Sequence, residues 1–166
     1  MAIVNNQSEL QAAIAAHDSF IQVDTDITLT ARLVIRYAVV ISSIDSANVR
    51  TIFKGESFFG NMFSITNCGA LTLRNIILDG NAGKHPNDNS TNRSAVLLAG
   101  GTLTLETGAV IQNNNAYTEG GAVYIVRKRK LRQRFGDGGI MPKVTGCYSK
   151  TTGGGIMAAL RNNSDS

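Results

Sequence analysis

Short apolar runs that recur at a fixed interval place the strongest constraint on this chain. Leu71-Thr72-Leu73 and Leu103-Thr104-Leu105 alternate apolar and polar residues, and they begin about thirty residues apart. When these runs are aligned, Ile76-Ile77-Leu78 falls beside Ala109-Val110-Ile111 with one residue of slack. Runs this short, with a period of two, favour strands over helices. The chain is therefore predicted to repeat a strand-rich unit.

The best-preserved unit spans residues 94–126. Three runs, Val96-Leu97-Leu98, Leu103-Thr104-Leu105 and Val123-Tyr124-Ile125, are separated there by corners rich in Gly and Asn. The chain holds 17 Gly but only 2 Pro, which indicates tight corners with left-handed backbone rather than stiff linkers. It has no Trp, so the core must consist of aliphatic side chains, as in stacked sheets.

Strands joined by such short corners cannot form an ordinary parallel sheet, because parallel strands normally need helical crossovers. A parallel β-helix, in which the chain winds on and each strand pairs with its copies above and below, removes the conflict. The segments G-A-L-T-L-R-N-I-I-L-D-G-N, G-T-L-T-L-E-T-G-A-V-I-Q-N-N, G-G-A-V-Y-I and G-G-G-I-M-A resemble right-handed parallel β-helix repeats. They are most similar to bacterial adhesin-like and polymorphic outer-membrane-type surface proteins, within the pectate-lyase-like superfamily. The resemblance implies an all-β solenoid and covers about residues 18–125, with a weaker match at 144–158.

One domain covering residues 1–166 is expected. A capping helix is predicted at residues 7–16, with Ser8 as N-cap and Leu10, Ala13 and Ile14 on one face. The remaining parts follow as coils at 18–125, a basic irregular insertion at 126–142, a partial last coil at 143–160 and a polar tail at 161–166. The tail offers no apolar cap, so we expect a fragment of a longer chain that self-associates end to end.

Catalysis finds little support in the sequence. Asp24 and Asp26 lie in a predicted strand from Phe20 to Thr30, two residues apart and hence on one face. A glycosidase needs two carboxylates flanking one bond, but the simpler interpretation is an exposed polar face near the cap. Asp79-Gly80-Asn81 resembles a structural corner of polygalacturonase-like chains, whose catalytic motifs are absent. A polysaccharide lyase or glycoside hydrolase, or a decayed relative, remains the alternative function.

The insertion at residues 82–93 is the best candidate for a binding loop, since long loops on a rigid solenoid often carry recognition. Its candidate ligand-binding residues are Lys84, His85, Asn87, Asp88 and Asn89. Asn87, Asp88 and Asn89 offer oxygen ligands, but their spacing matches no complete calcium loop. A solvated loop without a ligand is the competing interpretation.

A second candidate is the basic run that contains Arg127, Lys128, Arg129, Lys130, Arg132 and Arg134. The net charge of +4 comes from this run, because the rest of the chain carries ten basic against twelve acidic residues. Like charges on stacked strands repel, so we expect the run to leave the coil as a loop or short basic helix. It is either solvated, a polyanion-binding site or an artefact of the sequence. Phe135 is its one aromatic residue, so nucleic acid is not the expected partner.

Cys68 and Cys147 match no metal-site spacing and are expected to stay reduced, each packed in the core. No cofactor or metal is implied. No signal peptide or membrane span is visible, so the protein is either cytosolic or an internal piece of a longer exported chain. We expect the second, with a secreted or cell-surface location. The favoured function is a non-catalytic structural and adhesive module that binds a host, matrix or glycan ligand.

Overall fold

A computed structural model describes residues 1–126, 130–133, 141–151 and 154–159. These residues form mainly β structure, with one α-helix and a single 3-10 turn at Ala82–Lys84. Every strand pairing among these residues is parallel. The prediction of an all-β chain with parallel strands is therefore confirmed.

Three sheets contain nearly all the strands. Sheet 1 consists, in spatial order, of β1 (Ala2–Val4), β2 (Phe20–Val23), β5 (Ala38–Ser43), β8 (Ala70–Arg74), β11 (Thr102–Leu105) and β15 (Lys130–Gln133). Sheet 2 consists of β3 (Ile27–Leu29), β6 (Arg50–Lys54), β9 (Ile76–Asp79), β12 (Val110–Gln112) and β16 (Lys143–Thr145). Sheet 3 consists of β4 (Leu33–Ile35), β7 (Phe63–Ile65), β10 (Val96–Leu98), β14 (Val123–Val126) and β18 (Ile156–Ala159). Strands β13 (Asn115–Ala116) and β17 (Tyr148–Ser149) form a small additional pair.

The chain visits sheets 1, 2 and 3 in turn and then begins again one strand further along each sheet. We call each passage through the three sheets a circuit. The first circuit is β2, β3 and β4, and the fourth contains β11, β12 and β14. This order is compatible with a β-helix-like solenoid, because every strand lies beside its counterparts from the preceding and following circuits.

The core is a set of aliphatic ladders, one beneath each sheet. In sheet 1, Ile21, Ile41, Leu73 and Leu105 pair in register and are fully buried. Sheet 2 carries a corresponding ladder of Ile27, Ile52, Leu78 and Ile111. Each such side chain contributes about 1.5–3 kcal/mol through burial. The predicted alignment of Leu71 with Leu103 is the observed register.

The helix α1 (Gln7–Ala15) lies between β1 and β2 in the chain, where the other circuits have strands of sheets 2 and 3. Its buried face is Leu10, Ala13 and Ile14, as predicted. The N-cap is Asn6 rather than Ser8: the Asn6 side chain accepts a hydrogen bond from the Glu9 backbone N–H, and Ser8 is already inside the helix. An N-cap side chain accepts a hydrogen bond from a backbone N–H two or three residues further along the chain. Asn6 and Ser8 both have a side-chain oxygen that can do this, so the sequence alone does not choose between them.

Three further sequence predictions require correction. The strand predicted from Phe20 to Thr30 is two strands, β2 and β3, separated by a corner that contains Asp24 and Asp26. Part of the basic run remains in sheet 1 and does not form a loop or helix, because Lys130–Gln133 forms β15 and pairs with β11. Its neighbours 127–129 and Arg134 lie outside the described residues. Cys68 is exposed rather than packed in the core, whereas Cys147 is half-buried; both are free thiols.

In the part of the chain that the structure describes, no helix has the length and apolar character needed to cross a membrane.

Candidate binding groove

An open groove of about 610 Å³ lies along the corner where sheet 2 gives way to sheet 3. The loops that enter successive strands of sheet 3 form its walls. Its lining residues are Arg32, Phe58, Phe59, Gly60, Asn61, Thr91, Arg93, Leu97 and Glu119. We call this feature the groove.

The groove extends across four circuits. Arg32 precedes β4, Phe58 and Phe59 precede β7, Arg93 precedes β10 and Glu119 precedes β14. Neighbouring strands in a sheet are about 4.8 Å apart, so the levels of Arg32 and Glu119 are separated by about 14 Å. The groove is therefore elongated along the direction in which the circuits stack, and it suits an extended ligand better than a single ring.

Glu119 holds one end of the groove in place. Its Oε2 accepts hydrogen bonds from the Ser94 backbone N–H at 3.0 Å, from Ser94 Oγ at 2.8 Å and from Asn61 Nδ2 at 3.3 Å. Asn61 and Ser94 are themselves buried. This carboxylate thus joins three consecutive sheet-3 loops, and its remaining oxygen faces Arg93, whose Nε lies 3.8 Å away.

The groove carries an excess of positive charge. The Arg93 guanidinium is partly paired with Glu119 and donates to the Ser90 carbonyl oxygen at 2.9 Å. Arg32 is exposed and forms no ion pair among the described residues. An exposed, unpaired guanidinium is suited to carboxylate or sulfate groups, because its N–H donors match their oxygen geometry.

The apolar part of the groove comes from Phe58, Phe59 and Leu97. Phe58 and Phe59 are half-buried, so their rings present some surface to the solvent while Phe58 also packs against the core. Leu97 is the middle residue of β10, with buried neighbours on both sides, and it therefore points out of the sheet. Apolar faces beside a few oriented polar groups are the usual composition of a ligand site.

A buried polar cluster supports the groove from below. Lys54, at the end of β6, is fully buried; its Nζ donates to the Arg93 carbonyl oxygen at 3.0 Å and to Asn114 Oδ1 at 2.9 Å. Asn114 Nδ2 donates to the Arg93 carbonyl oxygen at 3.0 Å. Burial lowers the pKa of Lys54 to about 8, while the nearby Glu119 carboxylate opposes the shift. The backbone of Arg93 is thus fixed from beneath, while its side chain reaches the groove.

The predicted binding loop is packed against this cluster. Asn115 Nδ2 donates to the His85 carbonyl oxygen at 2.7 Å, and the Tyr117 backbone N–H donates to the Asn92 carbonyl oxygen at 3.2 Å. The Arg93 backbone N–H donates to the Phe59 carbonyl oxygen at 3.0 Å. These bonds attach the loop to both neighbouring circuits, so the loop forms a wall of the groove.

The structure separates the five loop residues predicted to bind a ligand. Lys84 forms an exposed ion pair with Glu56 at 3.1 Å, and Asn87 and Asp88 are exposed. Asn89 Oδ1 accepts from the Thr91 backbone N–H at 2.9 Å and from Thr91 Oγ1 at 2.7 Å, which orders the turn leading to Arg93. None of these four lines the groove.

His85 is fully buried, and neither ring nitrogen makes a hydrogen bond of good geometry among the described residues, although the Gly55 backbone lies near the ring. Its ring packs edge-on against Phe59, with centroids 5.3 Å apart. Burial lowers the pKa of His85, and the positive charge of Lys54 adds to the effect. His85 therefore supports a groove-lining ring from behind rather than contacting a ligand.

Of the predicted polyanion-binding residues, the structure describes Lys130 and Arg132, both in β15. Arg132 is exposed and pairs in register with Thr104, on sheet 1, which is not a lining sheet of the groove. Arg127, Lys128, Arg129 and Arg134 lie outside the described residues. A polyanion site at this run stays a prediction.

The aspartates considered for catalysis have structural partners. Asp26 Oδ1 accepts from the Thr51 backbone N–H at 2.8 Å, and Asp24 Oδ1 lies 3.9 Å from an Arg50 nitrogen. Both belong to the corner between sheets 1 and 2 and join the first circuit to the second. Within the described ranges, no three His, Cys, Asp or Glu residues form a group that could hold a metal ion.

Several groove residues went unnoticed in the sequence. Phe58 and Phe59 could have been recognised as candidate binding residues, since two of the six Phe in the chain stand together before a Gly. Arg32, Arg93 and Glu119 gave none, because isolated charged residues in corners are ordinarily solvated and only the stacking of circuits brings these three together.

No protein-family model, curated protein or solved structure matches this chain.

Proposed function

We propose that this chain is a right-handed parallel β-helix module of a bacterial surface-exposed or secreted protein, and that it binds an acidic glycan in the groove without cleaving it. The helical winding is supported by the strict order of sheets 1, 2 and 3 along the chain and by the parallel pairing of the strands that the structure describes. The surface location and adhesive role rest on the resemblance of the repeats.

The observation that carries the proposed ligand class is the combination of two Phe rings with two Arg side chains in one elongated groove. The flat apolar faces of sugar rings stack on aromatic side chains, and their hydroxyl groups bond to exposed polar side chains such as that of Thr91. Arg32 and Arg93 add a preference for glycans that carry carboxylates, because guanidinium–carboxylate hydrogen bonds are charge-assisted.

Binding without cleavage is favoured by the charges of the groove. Among the described residues that line it, Glu119 is the single carboxylate, and it already accepts three hydrogen bonds. Hydrolysis by paired carboxylates would require a second one about 5–9.5 Å away. The contrasting function is that of a polysaccharide lyase or glycoside hydrolase, which would release products from the glycan instead of only binding it.

Isothermal titration calorimetry with oligogalacturonate, and with a neutral cello-oligosaccharide of equal length, tests the proposal. We expect the wild-type chain to bind the acidic oligosaccharide more tightly. Arg32→Gln should weaken acidic binding by about tenfold, the effect of one lost charge-assisted hydrogen bond. Phe58→Ala should weaken binding of both oligosaccharides.

Lys143→Gln is the matched control, because it removes one positive charge from an exposed position that lies outside the groove and outside the basic run. Its affinity should equal that of the wild type. Equal losses in Arg32→Gln and Lys143→Gln would mean that the effect depends on net charge alone, and absence of binding to either oligosaccharide would refute the ligand class. Release of unsaturated uronides or reducing ends during incubation would establish an enzyme instead.

A further inference from the structure

A second cleft, separate from most of the groove, lies where the capping helix meets the first circuit. It has a volume of about 290 Å³. Its lining residues are Gln11, Ile14, Ala15, His17, Arg32, Leu33, Val34, Arg36 and Tyr37. Only Arg32 also lines the groove. The volume is at the lower limit of small-molecule sites, so the cleft suits a ligand of one ring.

Two cations flank the cleft. Arg32 and Arg36 stand on either side of β4, both exposed, and alternation along the strand places them on the same outer face as Val34. Neither forms an ion pair in the described part of the chain. Two guanidinium groups on one face, above an apolar residue, create a local preference for an anion that also has apolar surface.

An aromatic wall closes one side. The His17 ring packs on the Tyr37 ring, with centroids 4.2 Å apart and an interplanar angle of 35°. His17 follows the capping helix in a left-handed conformation, with φ of 61°, where its backbone N–H donates to the Ile14 carbonyl oxygen at 3.1 Å. Glycine usually occupies this position after a helix because a side chain adds strain there. The hydrogen bond to Ile14 and the packing on Tyr37 hold His17 in this conformation, in which its ring forms one side of the cleft.

We propose that the cleft between α1 and β4 binds a small aromatic carboxylate, with the ring against Val34, Ile14 and the His17–Tyr37 pair and the carboxylate on Arg36 and Arg32. The apolar floor disfavours fully hydrated anions such as inorganic phosphate, because such an anion loses water at an apolar surface without gaining hydrogen bonds there. The guanidinium groups reject neutral rings of the same size. This site goes beyond the proposed glycan function and does not depend on it.

Titration of the full chain with benzoate, followed by ¹H–¹⁵N NMR, tests the site. We expect saturable shifts at the backbone amides of Ala15, Val34 and Tyr37, with benzyl alcohol and inorganic phosphate each binding at least tenfold more weakly. Arg36→Gln should weaken benzoate binding by about tenfold, as expected for one charge-assisted hydrogen bond.

Phe58→Ala is the control that separates the two sites, because Phe58 lines only the groove. Its affinity for benzoate should equal that of the wild type. Equal affinity for benzoate and benzyl alcohol, an unchanged dissociation constant in Arg36→Gln, or a loss in Phe58→Ala would each overturn the proposal. Arg36 is exposed, so its replacement leaves the core intact, and an unchanged amide spectrum checks this directly.

Discussion

Lys54 Nζ lies 2.9 Å from Asn114 Oδ1, a hydrogen bond between two fully buried side chains that are 60 residues apart in the chain. Lys54 ends the sheet-2 strand of the second circuit, and Asn114 follows the sheet-2 strand of the fourth. The bond therefore links the second circuit to the fourth across the third. Both side chains also donate to the Arg93 carbonyl oxygen, which holds the backbone of Arg93 beside the groove.

The first prediction concerns the stability contributed by this network. Lys54→Ala should lower the free energy of unfolding by about 2–4 kcal/mol, because it leaves a cavity and removes the donor to Asn114 Oδ1. Urea denaturation measures the change. The exposed Lys143→Ala should change stability by less than about 0.5 kcal/mol. Equal effects of the two replacements would show that the buried network carries no stability.

The second prediction is a gain in stability between pH 8 and pH 10. The pKa of Lys54 falls from 10.5 to about 8 on folding, so in this window the unfolded chain binds a proton that the folded chain lacks. The contribution of Lys54 to stability therefore rises with pH, by up to roughly 3 kcal/mol across the whole shift, while the raised pKa of the Cys147 thiol opposes it in the same range. Lys54→Met keeps much of the volume and should abolish this rise. Parallel pH profiles of wild type and variant would contradict the assignment.

The third prediction concerns acid. Burial and the charge of Lys54 lower the pKa of His85, while the Gly55 backbone and the Glu56 carboxylate act in the opposite direction. Below pH 6.5 the unfolded chain takes up a proton more readily than the folded chain, so stability should fall as the pH decreases from 7 to 5. Thermal unfolding at several pH values measures this fall.

His85→Phe should reduce that fall, because a phenyl ring has no group to protonate. The matched control is His17→Phe, which replaces the only other histidine of the chain, an exposed one. If His17→Phe reduced the acid sensitivity and His85→Phe did not, the buried histidine would have no part in it.

The fourth prediction concerns the charge balance of the groove. Glu119→Gln removes the partner of the Arg93 guanidinium while an amide oxygen can still accept from Ser94. Binding of oligogalacturonate should strengthen by about threefold, the effect of one partly screened charge, and binding of the neutral oligosaccharide should stay unchanged. Glu106→Gln, which frees Arg74 elsewhere on the surface, is the control. Equal weakening of both ligands in Glu119→Gln would point to a collapsed groove instead.

The fifth prediction concerns the close stacking of circuits. Gly101 has a φ of +72°, and a Cβ atom there would overlap the Gly69 carbonyl oxygen of the preceding circuit. Gly101→Ala should destabilise the chain by about 2 kcal/mol or more through left-handed strain and this overlap. Gly83→Ala, where a Cβ atom meets nothing within 4 Å, should be nearly neutral. A similar unfolding midpoint for both variants would contradict the observed stacking.

Much of the fold could be predicted because its signals are local. Alternation within Leu71-Thr72-Leu73 identifies the inward side chains, and recurrence of the same run identifies its neighbour in the sheet. Breaks were harder to predict. The corner at Asp24 and Asp26 was missed because Ile21, Val23, Ile27 and Leu29 keep the same parity on both sides of it, so the alternation continues across the bend.

The basic run is the opposite case, because a strand was predicted there to be a loop. Charge repulsion favoured a loop, yet Leu131 occupies the inward position next to Leu103, and strand pairing with β11 holds residues 130–133 in sheet 1. Alternation places Arg132 on the outer face, where water screens its charge. One inward leucine and a preformed strand edge outweigh a repulsion that solvent weakens.

The sequence by itself determined the strands, the aliphatic ladders and the helix that precedes them, because each depends on spacing within a few residues. The tertiary structure alone decided the groove, the Lys54–Asn114 bond and the cleft beneath the capping helix. Their members come from different circuits, and the length of every intervening corner decides which loops stack. That dependence on the whole path of the chain is why Arg32, Arg93 and Glu119, unremarkable in the sequence, line one groove.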